Sequence, residues 1–256
     1  MRLQDRPGLA ERVQTPAMAW SIHVFTATGV VFGLLGLLSV LDGSPRAALL
    51  WLMVAQIVDG LDGPMARVCS VKLVLPRMDG NVLDLVIDYV TCVVAPAVFI
   101  HQFNLMPRWF SLPGAGLVML TSLYCFGRLD LMTDDHYFRG FPAMWNLAVN
   151  VMFVLQSRPI VNFFVVITLS LLVFAPVYVP HPIRVRQHRQ VTIAVIVVWL
   201  GTMVYLTWVV GQGGTPRLHF WADAIEIGGV LYLAWLTIER TYLHRSAPVG
   251  SPATTA

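Results

Sequence analysis

Uninterrupted apolar runs recur along almost the whole chain of 256 residues, and they limit its fold more than any other feature. A helix crosses the hydrocarbon core of a bilayer in about 20 residues, because each residue adds about 1.5 Å. Eight runs approach this length and predict helices at 20–41, 47–66, 81–102, 112–132, 141–157, 160–180, 191–211 and 220–240. The sequence therefore predicts an all-α integral membrane protein with eight transmembrane helices.

The composition excludes most other classes of protein. Hydrophobic residues make up 57% of the chain and charged residues only 12%, which is far from a soluble or disordered protein. Strands of a membrane β-barrel alternate apolar and polar residues, whereas these runs are continuously apolar. Cys69, Cys92 and Cys125 are isolated from one another, so they indicate neither a disulfide framework nor a zinc site. The basic residues form no nucleic-acid-binding motif, and we expect no nucleic-acid partner.

The basic residues between the runs predict the orientation in the membrane. An even number of spans puts both termini on the same side. If that side is the inside, it holds thirteen of the 17 basic residues, and only Arg46, Arg108, Arg158 and Arg217 lie outside. This distribution satisfies the positive-inside rule, and the first run lacks the features of a cleavable signal. We therefore expect cytoplasmic segments at 1–19 and 241–256 and a transmembrane domain at 20–240.

Four aspartates lie in the apolar runs at one predicted depth. Asp59 and Asp62 are near the end of the second run, and Asp84 and Asp88 are near the start of the third. Spacings of three and four residues place each pair on one helix face. A single intramembrane aspartate is often explained by a hydrogen bond between helices. An acid costs about 2.5 kcal/mol or more at the centre of a spanning helix, so four in register indicate a functional site.

The charge of these aspartates predicts a bound cation. Four carboxylates in a medium of low dielectric constant repel one another unless they are protonated or neutralised. Sites made only of oxygen ligands suit Mg²⁺, Mn²⁺ or Ca²⁺ rather than zinc.

The aspartates belong to a longer motif. It reads Asp59-Gly60-Leu61-Asp62-Gly63-Pro64-Met65-Ala66-Arg67 and continues as Gly80-x-x-x-Asp84-x-x-x-Asp88. This motif resembles the signature of the CDP-alcohol phosphotransferases, integral membrane enzymes of phospholipid synthesis. The loop at 68–79 is longer than in most of that family. This loop, together with SIHVFTATG at 21–29, VIDYVT at 86–91, GFPAMWN at 140–146 and HPIRVR at 181–186, resembles the bacterial members that use choline as acceptor.

The resemblance extends from about Trp20 to Arg240 and implies both fold and activity. It implies the six-helix core of the family with two further helices, in the inner membrane of a bacterium. The implied reaction condenses CDP-diacylglycerol with choline and gives phosphatidylcholine and CMP. Membrane lipids are the other expected partners, and a homodimer is left open.

The resemblance also implies residue roles. Two divalent ions, Mg²⁺ or Mn²⁺, would be held by Asp59, Asp62, Asp84 and Asp88, and Asp88 is also the candidate general base. CDP-diacylglycerol would be bound by Asp62, Gly63, Ala66, Arg67 and Gly80. The small residues could instead serve helix packing, and Arg67 could be an anchor at the membrane interface.

Recognition of choline and of the lipid phosphate is predicted from residue type. A quaternary ammonium binds to aromatic faces, so the choline candidates are Tyr89, Tyr124, Tyr137 and Trp145, with Asn146 as a partner for the hydroxyl. Aromatic residues at an interface also anchor proteins in the membrane, and an intramembrane asparagine also bonds across helices. Arg184 and Arg186 are candidates for the lipid phosphate, or they serve topology alone.

Two other functions stay open from the sequence. One is another phosphatidyltransferase of the same family, with serine, inositol phosphate or glycerol phosphate as acceptor. Phosphorylated acceptors would need basic residues within the site, and the helix faces near the aspartates carry few of them. The other is a divalent-cation transporter, although such sites usually lie near the midplane of the bilayer, whereas these aspartates lie toward one face.

Overall fold

The computed structural model describes residues 15–69, 74–75, 78–182, 184–185, 188–210 and 220–243, with the backbone alone at 67 and 68. The fold is mostly helical. Six helices are long and apolar enough to cross a membrane: α1 (Pro16–Leu41), α2 (Pro45–Val68), α3 (Gly80–Gln102), α4 (Arg108–Gly127), α7 (Arg189–Val210) and α8 (Phe220–Leu243). Two shorter apolar helices, α5 (Trp145–Val154) and α6 (Pro159–Leu172), lie between α4 and α7. The strands β1 (Tyr137–Arg139) and β2 (Tyr178–Pro180) form an antiparallel pair.

Each of the eight predicted runs contains a helix, but α5 and α6 are shorter than expected. They have 10 and 14 residues. At about 1.5 Å per residue they reach only about 15 and 21 Å, against about 30 Å of hydrocarbon. The structure thus supports a multi-pass helical membrane protein with six helices of spanning length among the described residues.

Backbone geometry explains why the helix predicted at 141–157 starts late. Gly140 and Ala143 have φ values of 88° and 57°, which a continuing right-handed helix cannot accept. A Cβ atom on Gly140 would lie 2.5 Å from the carbonyl oxygen of Val173, so only glycine fits at this turn. The amide of Phe141 donates to the carbonyl of Leu172 at 3.1 Å, where the helix predicted at 160–180 ends.

Small residues on α1 set its distance from α3. A Cβ atom on Gly29 would lie 3.0 Å from Ile87, and one on Gly33 would lie 2.8 Å from Thr91. Glycines at such positions let two helix backbones approach closely. Both contacts advance in the same direction along the two helices, so α1 and α3 run parallel.

The main apolar core joins the end of α1, the start of α2 and the end of α3 to α4, α5 and α6. The indole of Trp145 is fully buried there, and its Nε1 donates to the Oγ atom of Ser122 at 2.9 Å. Other members are Val40, Leu49, Phe99, Ile100, Met106, Val118, Val149 and Val166. This packing anchors the first turn of α5 against α4.

The strand pair ties three parts of the chain together outside the helices. Tyr137 lies opposite Pro180 and Arg139 lies opposite Tyr178. The amide of Tyr178 donates to the side-chain oxygen of Thr241 at the end of α8, at 3.0 Å. The strands therefore connect the segment before α5 with the segment before α7, and both with α8.

Candidate active site

Carboxylates from α2 and α3 meet at one point. One oxygen each from Asp59, Asp84 and Asp88 lies within 4.8 Å of the others, and all three side chains are partly exposed. Asp62 is one turn beyond Asp59 on α2 and is only 7% exposed. Its charge acts on the other three carboxylates. The structure therefore brings the four predicted aspartates into one electrostatic cluster.

The first turn of α3 explains how the cluster is oriented. The carboxylate of Asp79 accepts a hydrogen bond from the amide of Asn81 at 3.0 Å and caps the helix. A Cβ atom on Gly80 would lie 3.1 Å from Cε1 of His23, so this glycine makes room for a histidine on α1. The His23 ring is buried, and its Nε2 has no hydrogen-bond partner among the residues described. Gly80 thus contributes to helix packing, the alternative that the sequence left open.

The helix α3 changes its winding directly after Asp88. Residues Tyr89–Val94 are π-helical, and α-helical geometry resumes at Ala95. Pro96 has no amide hydrogen and cannot bond to the carbonyl four residues earlier, which favours a wider turn. Insertions of this kind within α-helices occur frequently at functional sites.

An amide contacts the cluster from the preceding turn of α2. The Nε2 atom of Gln56 donates to Oδ2 of Asp59 at 3.0 Å, and its Oε1 accepts from Nδ2 of Asn146 at 2.6 Å. Asn146 therefore bonds across helices, and its Oδ1 is buried without a hydrogen-bond partner in the described part of the chain. Gln56 is not among the site residues predicted from the sequence. A glutamine in an apolar run, three residues before Asp59, was the available signal.

One arginine reaches the cluster from the segment that follows β2. The positive charge of Arg184 acts on Asp59 and Asp84. The backbone amide of Arg184 donates to Nδ1 of His181 at 3.3 Å, and the His181 ring stacks on Phe138 at 5.4 Å between centroids. The strand pair therefore holds this arginine near the aspartates.

The remaining residues predicted to bind lipid or nucleotide are only partly described. Gly63 and Ala66 lie on α2 beyond Asp62 and are partly exposed. Arg186 and the side chain of Arg67 lie outside the described residues.

Two of the predicted choline ligands are enclosed by protein. Trp145 belongs to the apolar core, as described above. Tyr137 is 2% exposed, and the guanidinium of Arg240 lies 5.6 Å from the centre of its ring. A protein cation therefore already occupies one face of the Tyr137 ring.

The two other aromatic candidates lie on different parts of the surface. Tyr89 is partly exposed next to Asp88, and its hydroxyl donates to the carbonyl of Met119 at 3.2 Å. Tyr124 is 47% exposed on α4, with the guanidinium of Arg128 5.7 Å from its ring centre. The structure does not bring the five predicted choline ligands into one aromatic cage.

An ion pair joins the end of α8 to the loop before β1. The guanidinium of Arg240 lies 2.8 Å from a carboxylate oxygen of Asp135, and the hydroxyl of Thr133 donates to the other oxygen at 2.6 Å. Partial burial opposes ionisation of Asp135, but the hydrogen bonds from Thr133 and Arg240 and the charge of Arg240 outweigh it. The pKa of Asp135 is therefore lower than usual.

A second buried acid lies on α8. The Glu226 side chain is fully buried, and neither carboxylate oxygen has a hydrogen-bond partner among the described residues. The indole of Trp199 on α7 donates to the backbone carbonyl of Glu226 at 3.2 Å. Glu226 is not among the residues predicted from the sequence, although an acid inside an apolar run is a visible signal.

The donor set of the aspartate cluster suits one class of ligand. Carboxylate oxygens from two helices converge, and the residues described at the cluster include neither a thiolate nor an imidazole among the grouped ligand atoms. Hard divalent cations such as Mg²⁺ and Mn²⁺ prefer oxygen ligands of this kind. The residues present therefore fit divalent ions.

Known proteins with similar sequences carry one name. The phosphatidylcholine synthase of Pseudomonas aeruginosa is 46% identical over 184 residues, which cover 72% of this chain and 77% of that protein. The phosphatidylcholine synthase of Bradyrhizobium diazoefficiens is 40% identical over 218 residues, covering 84% and 81%. The enzyme of the same name from Borreliella burgdorferi is 30% identical over 229 residues, covering 88% and 94%. No protein-family model matches the chain.

Proposed function

Because the chain belongs to the phosphatidylcholine synthase family, we propose that its aspartate cluster condenses CDP-diacylglycerol with choline. The protein is a membrane phosphatidyltransferase of phosphatidylcholine biosynthesis. The observation that carries the proposal is the approach of Asp59, Asp84 and Asp88 to within 4.8 Å of one another. The name shared by the relatives supports choline over serine, inositol phosphate or glycerol phosphate as acceptor.

Asp59, Asp62, Asp84 and Asp88 are the proposed ligands of two divalent ions, Mg²⁺ or Mn²⁺. Such ions supply positive charge that stabilises the transferring phosphoryl group and the phosphate of the departing CMP. The support is the donor set itself, since three carboxylates at this separation repel one another without compensating charge.

The reaction forms one phosphorus–oxygen bond and breaks another. The hydroxyl oxygen of choline attacks the lipid-linked phosphorus of CDP-diacylglycerol. The bond from that phosphorus to the bridging oxygen breaks, and its electron pair leaves with CMP. Asp88 is the proposed acceptor of the hydroxyl proton. A carboxylate that also binds a cation is a weak base, so we attribute the role of Asp88 mainly to its position.

Positively charged groups are proposed to hold the phosphates of CDP-diacylglycerol. Arg184 already interacts with the cluster electrostatically, and a guanidinium matches phosphate oxygens with two parallel donors. Arg67 and Arg186 complete the proposed set from the sequence, with Gly63 and Ala66 leaving space for the nucleotide. Tyr89 is the proposed choline ligand nearest in sequence to Asp88.

The topology proposed for this function keeps eight spans. It consists of the six-helix core of the family and two further helices. The six long helices, which include α7 and α8, make six of the crossings, and the shorter α5 and α6 make the fifth and the sixth along the chain. Both termini then lie on the cytoplasmic side of a bacterial inner membrane, and the catalytic domain spans residues 20–240. The thirteen basic residues that this orientation places inside support it.

The test is incorporation of labelled choline into lipid by the purified protein in detergent with CDP-diacylglycerol and Mn²⁺. We expect one CMP per phosphatidylcholine, no product with EDTA, and no product with serine, inositol phosphate or glycerol phosphate. Asp88→Asn should still bind CDP-diacylglycerol but lose turnover. Full activity in EDTA would contradict the proposed ions, and turnover with inositol phosphate but not choline would contradict the acceptor.

A further inference from the structure

We propose that Gln56 and Asn146 form an amide relay that orients the carboxylate of Asp59 for ion binding. The relay rests on the metal-dependent site proposed above and adds two positioning residues to it. Neither residue has to touch a substrate, because both act through the direction in which Asp59 presents its oxygens.

The contacts join three helices at one amide group. Gln56 lies one turn before Asp59 on α2, and its Nε2 donates to Asp59 at 3.0 Å. Asn146 donates from the first turn of α5 to Oε1 of Gln56 at 2.6 Å. The thiol of Cys92 on α3 lies 4.0 Å from the same oxygen and is oriented as a donor. The Gln56 side chain is therefore held from two other helices.

The chemistry of the groups gives the relay a direction. An ionised carboxylate only accepts hydrogen bonds, so Gln56 must present its NH₂ group to Asp59. The Gln56 carbonyl oxygen then faces α5 and can only accept, so Asn146 must present its own NH₂ group. An isolated amide can occupy either of two flipped orientations. Here the carboxylate of Asp59 determines the orientation of the Gln56 amide, and Gln56 determines that of Asn146.

The far end of the relay is anchored in the apolar core. Trp145 precedes Asn146, is fully buried, and donates to Ser122 on α4. This anchor fixes Asn146 relative to α4, and the relay transmits that position through Gln56 to Asp59. Outer partners that orient metal-binding carboxylates typically change metal affinity by about 10 to 100-fold when they are removed.

The experiment measures Mn²⁺ affinity directly, by electron paramagnetic resonance of the purified protein without CDP-diacylglycerol or choline. Gln56→Met keeps the length of the side chain but removes the donor. Asn146→Asp places an acceptor opposite Oε1 of Gln56, so the Gln56 amide must turn and present oxygen to Asp59. We expect each variant to raise the Kd for Mn²⁺ about 10-fold. The double variant should add little, because both changes act through one bond.

Matched controls separate the relay from general packing. Asn150→Asp changes a buried amide one turn later on α5, whose Oδ1 accepts from the hydroxyl of Thr207 at 2.9 Å, as an aspartate also can. Gln102→Met makes the same exchange at the exposed end of α3. Both controls should bind Mn²⁺ as the unmodified protein does.

The outcomes distinguish the relay from the function on which it rests. If the unmodified protein binds no Mn²⁺ and makes no phosphatidylcholine, the proposed function fails. If it does both, but Gln56→Met and Asn146→Asp bind Mn²⁺ normally, the relay alone is overturned. If these variants have a lower Tm in EDTA but an unchanged affinity for Mn²⁺, Gln56 and Asn146 serve packing, and the relay is also overturned. If Gln56→Met does not fold, Asn146→Asp decides by the same criteria.

Discussion

Two helix pairs of this protein hold acids within apolar segments, and they do so in opposite ways. The α2–α3 pair brings carboxylates from both helices together, with Gln56 and Arg184 beside them. The α7–α8 pair buries Glu226 by itself, and neither of its carboxylate oxygens has a hydrogen-bond partner among the described residues. Convergence of groups from several elements, rather than burial of an acid, therefore distinguishes the site.

The α7–α8 pair contributes to the site through its end rather than through its buried acid. Arg240 and Thr241 at the end of α8 bind Asp135 and the amide of Tyr178, on either side of the strand pair. The segment after β2 carries Arg184 toward the aspartates. We infer that α2 and α3 supply the reacting groups, whereas α8 stabilises the strand pair that positions Arg184.

The largest effect should come from a carboxylate of the α2–α3 pair. Asp84→Asn keeps the shape of the side chain but removes a charged ligand. Losing several kcal/mol of transition-state stabilisation corresponds to a fall in kcat of about 100-fold or more. Labelled choline incorporation at saturating substrate measures this. Asp134→Asn, on an exposed loop, is the control. Near-normal turnover of Asp84→Asn would show that the converging carboxylates of α2 and α3 do not form the active site.

A smaller effect is expected from the arginine that the strands hold near the cluster. Arg184→Ala should raise the KM for CDP-diacylglycerol about 10-fold, because a hydrogen bond to a charged group contributes about 1.5 to 3 kcal/mol. Arg184→Lys should recover part of the loss, since it restores charge but not the planar fork. Arg189→Ala changes an exposed arginine at the start of α7 and should leave the KM unchanged. Equal effects at both positions would mean that bulk charge matters rather than position.

The ion pair between Arg240 at the end of α8 and Asp135 should make a modest, pH-dependent contribution to stability. The pKa of Asp135 in the folded protein lies below its ordinary value of 3.8, so its contribution to stability is present above that pH. The contribution is lost as the pH falls through the lower folded-state value. Asp135→Asn should therefore lower the Tm by about 2 to 4 °C at pH 7, for an ion pair contributing about 1 kcal/mol. The difference in Tm should shrink below pH 3.8, and its persistence in acid would contradict the ion pair as its source.

The smallest effect is expected at the isolated acid. Glu226→Gln keeps the size of the side chain and removes a group that the described contacts leave without a partner. Phosphatidylcholine synthesis should change by less than about twofold, since Glu226 contacts Trp199 of α7 rather than the aspartate cluster and should not alter the barrier of the reaction. Glu226→Lys is the contrasting variant and should unfold the pair, because it buries an uncompensated charge. Loss of activity with a normal Tm in Glu226→Gln would show that α7 and α8 hold a second functional site.

Much of the architecture follows from sequence alone. Exposing polar groups to lipid costs so much free energy that each spanning helix needs a continuous apolar run, and such runs are visible in the sequence. The apolar runs predicted helices at all eight places, and the spacing of Asp59, Asp62, Asp84 and Asp88 predicted the face on which they lie. The lengths of α5 and α6 did not follow from hydropathy. They depend on positive φ values at Gly140 and Ala143, which form where the chain turns against the end of α6.

Residue type and spacing were enough to predict a helical membrane protein with an acidic motif, because hydropathy and helix periodicity are local properties. The folded structure was needed to show that Asn146 donates to Gln56, that Arg184 interacts with the aspartates, and that Trp145 is buried in the core. These contacts join elements far apart along the chain. Their geometry depends on how the helices pack and how the strands pair, and no local pattern of residues encodes that.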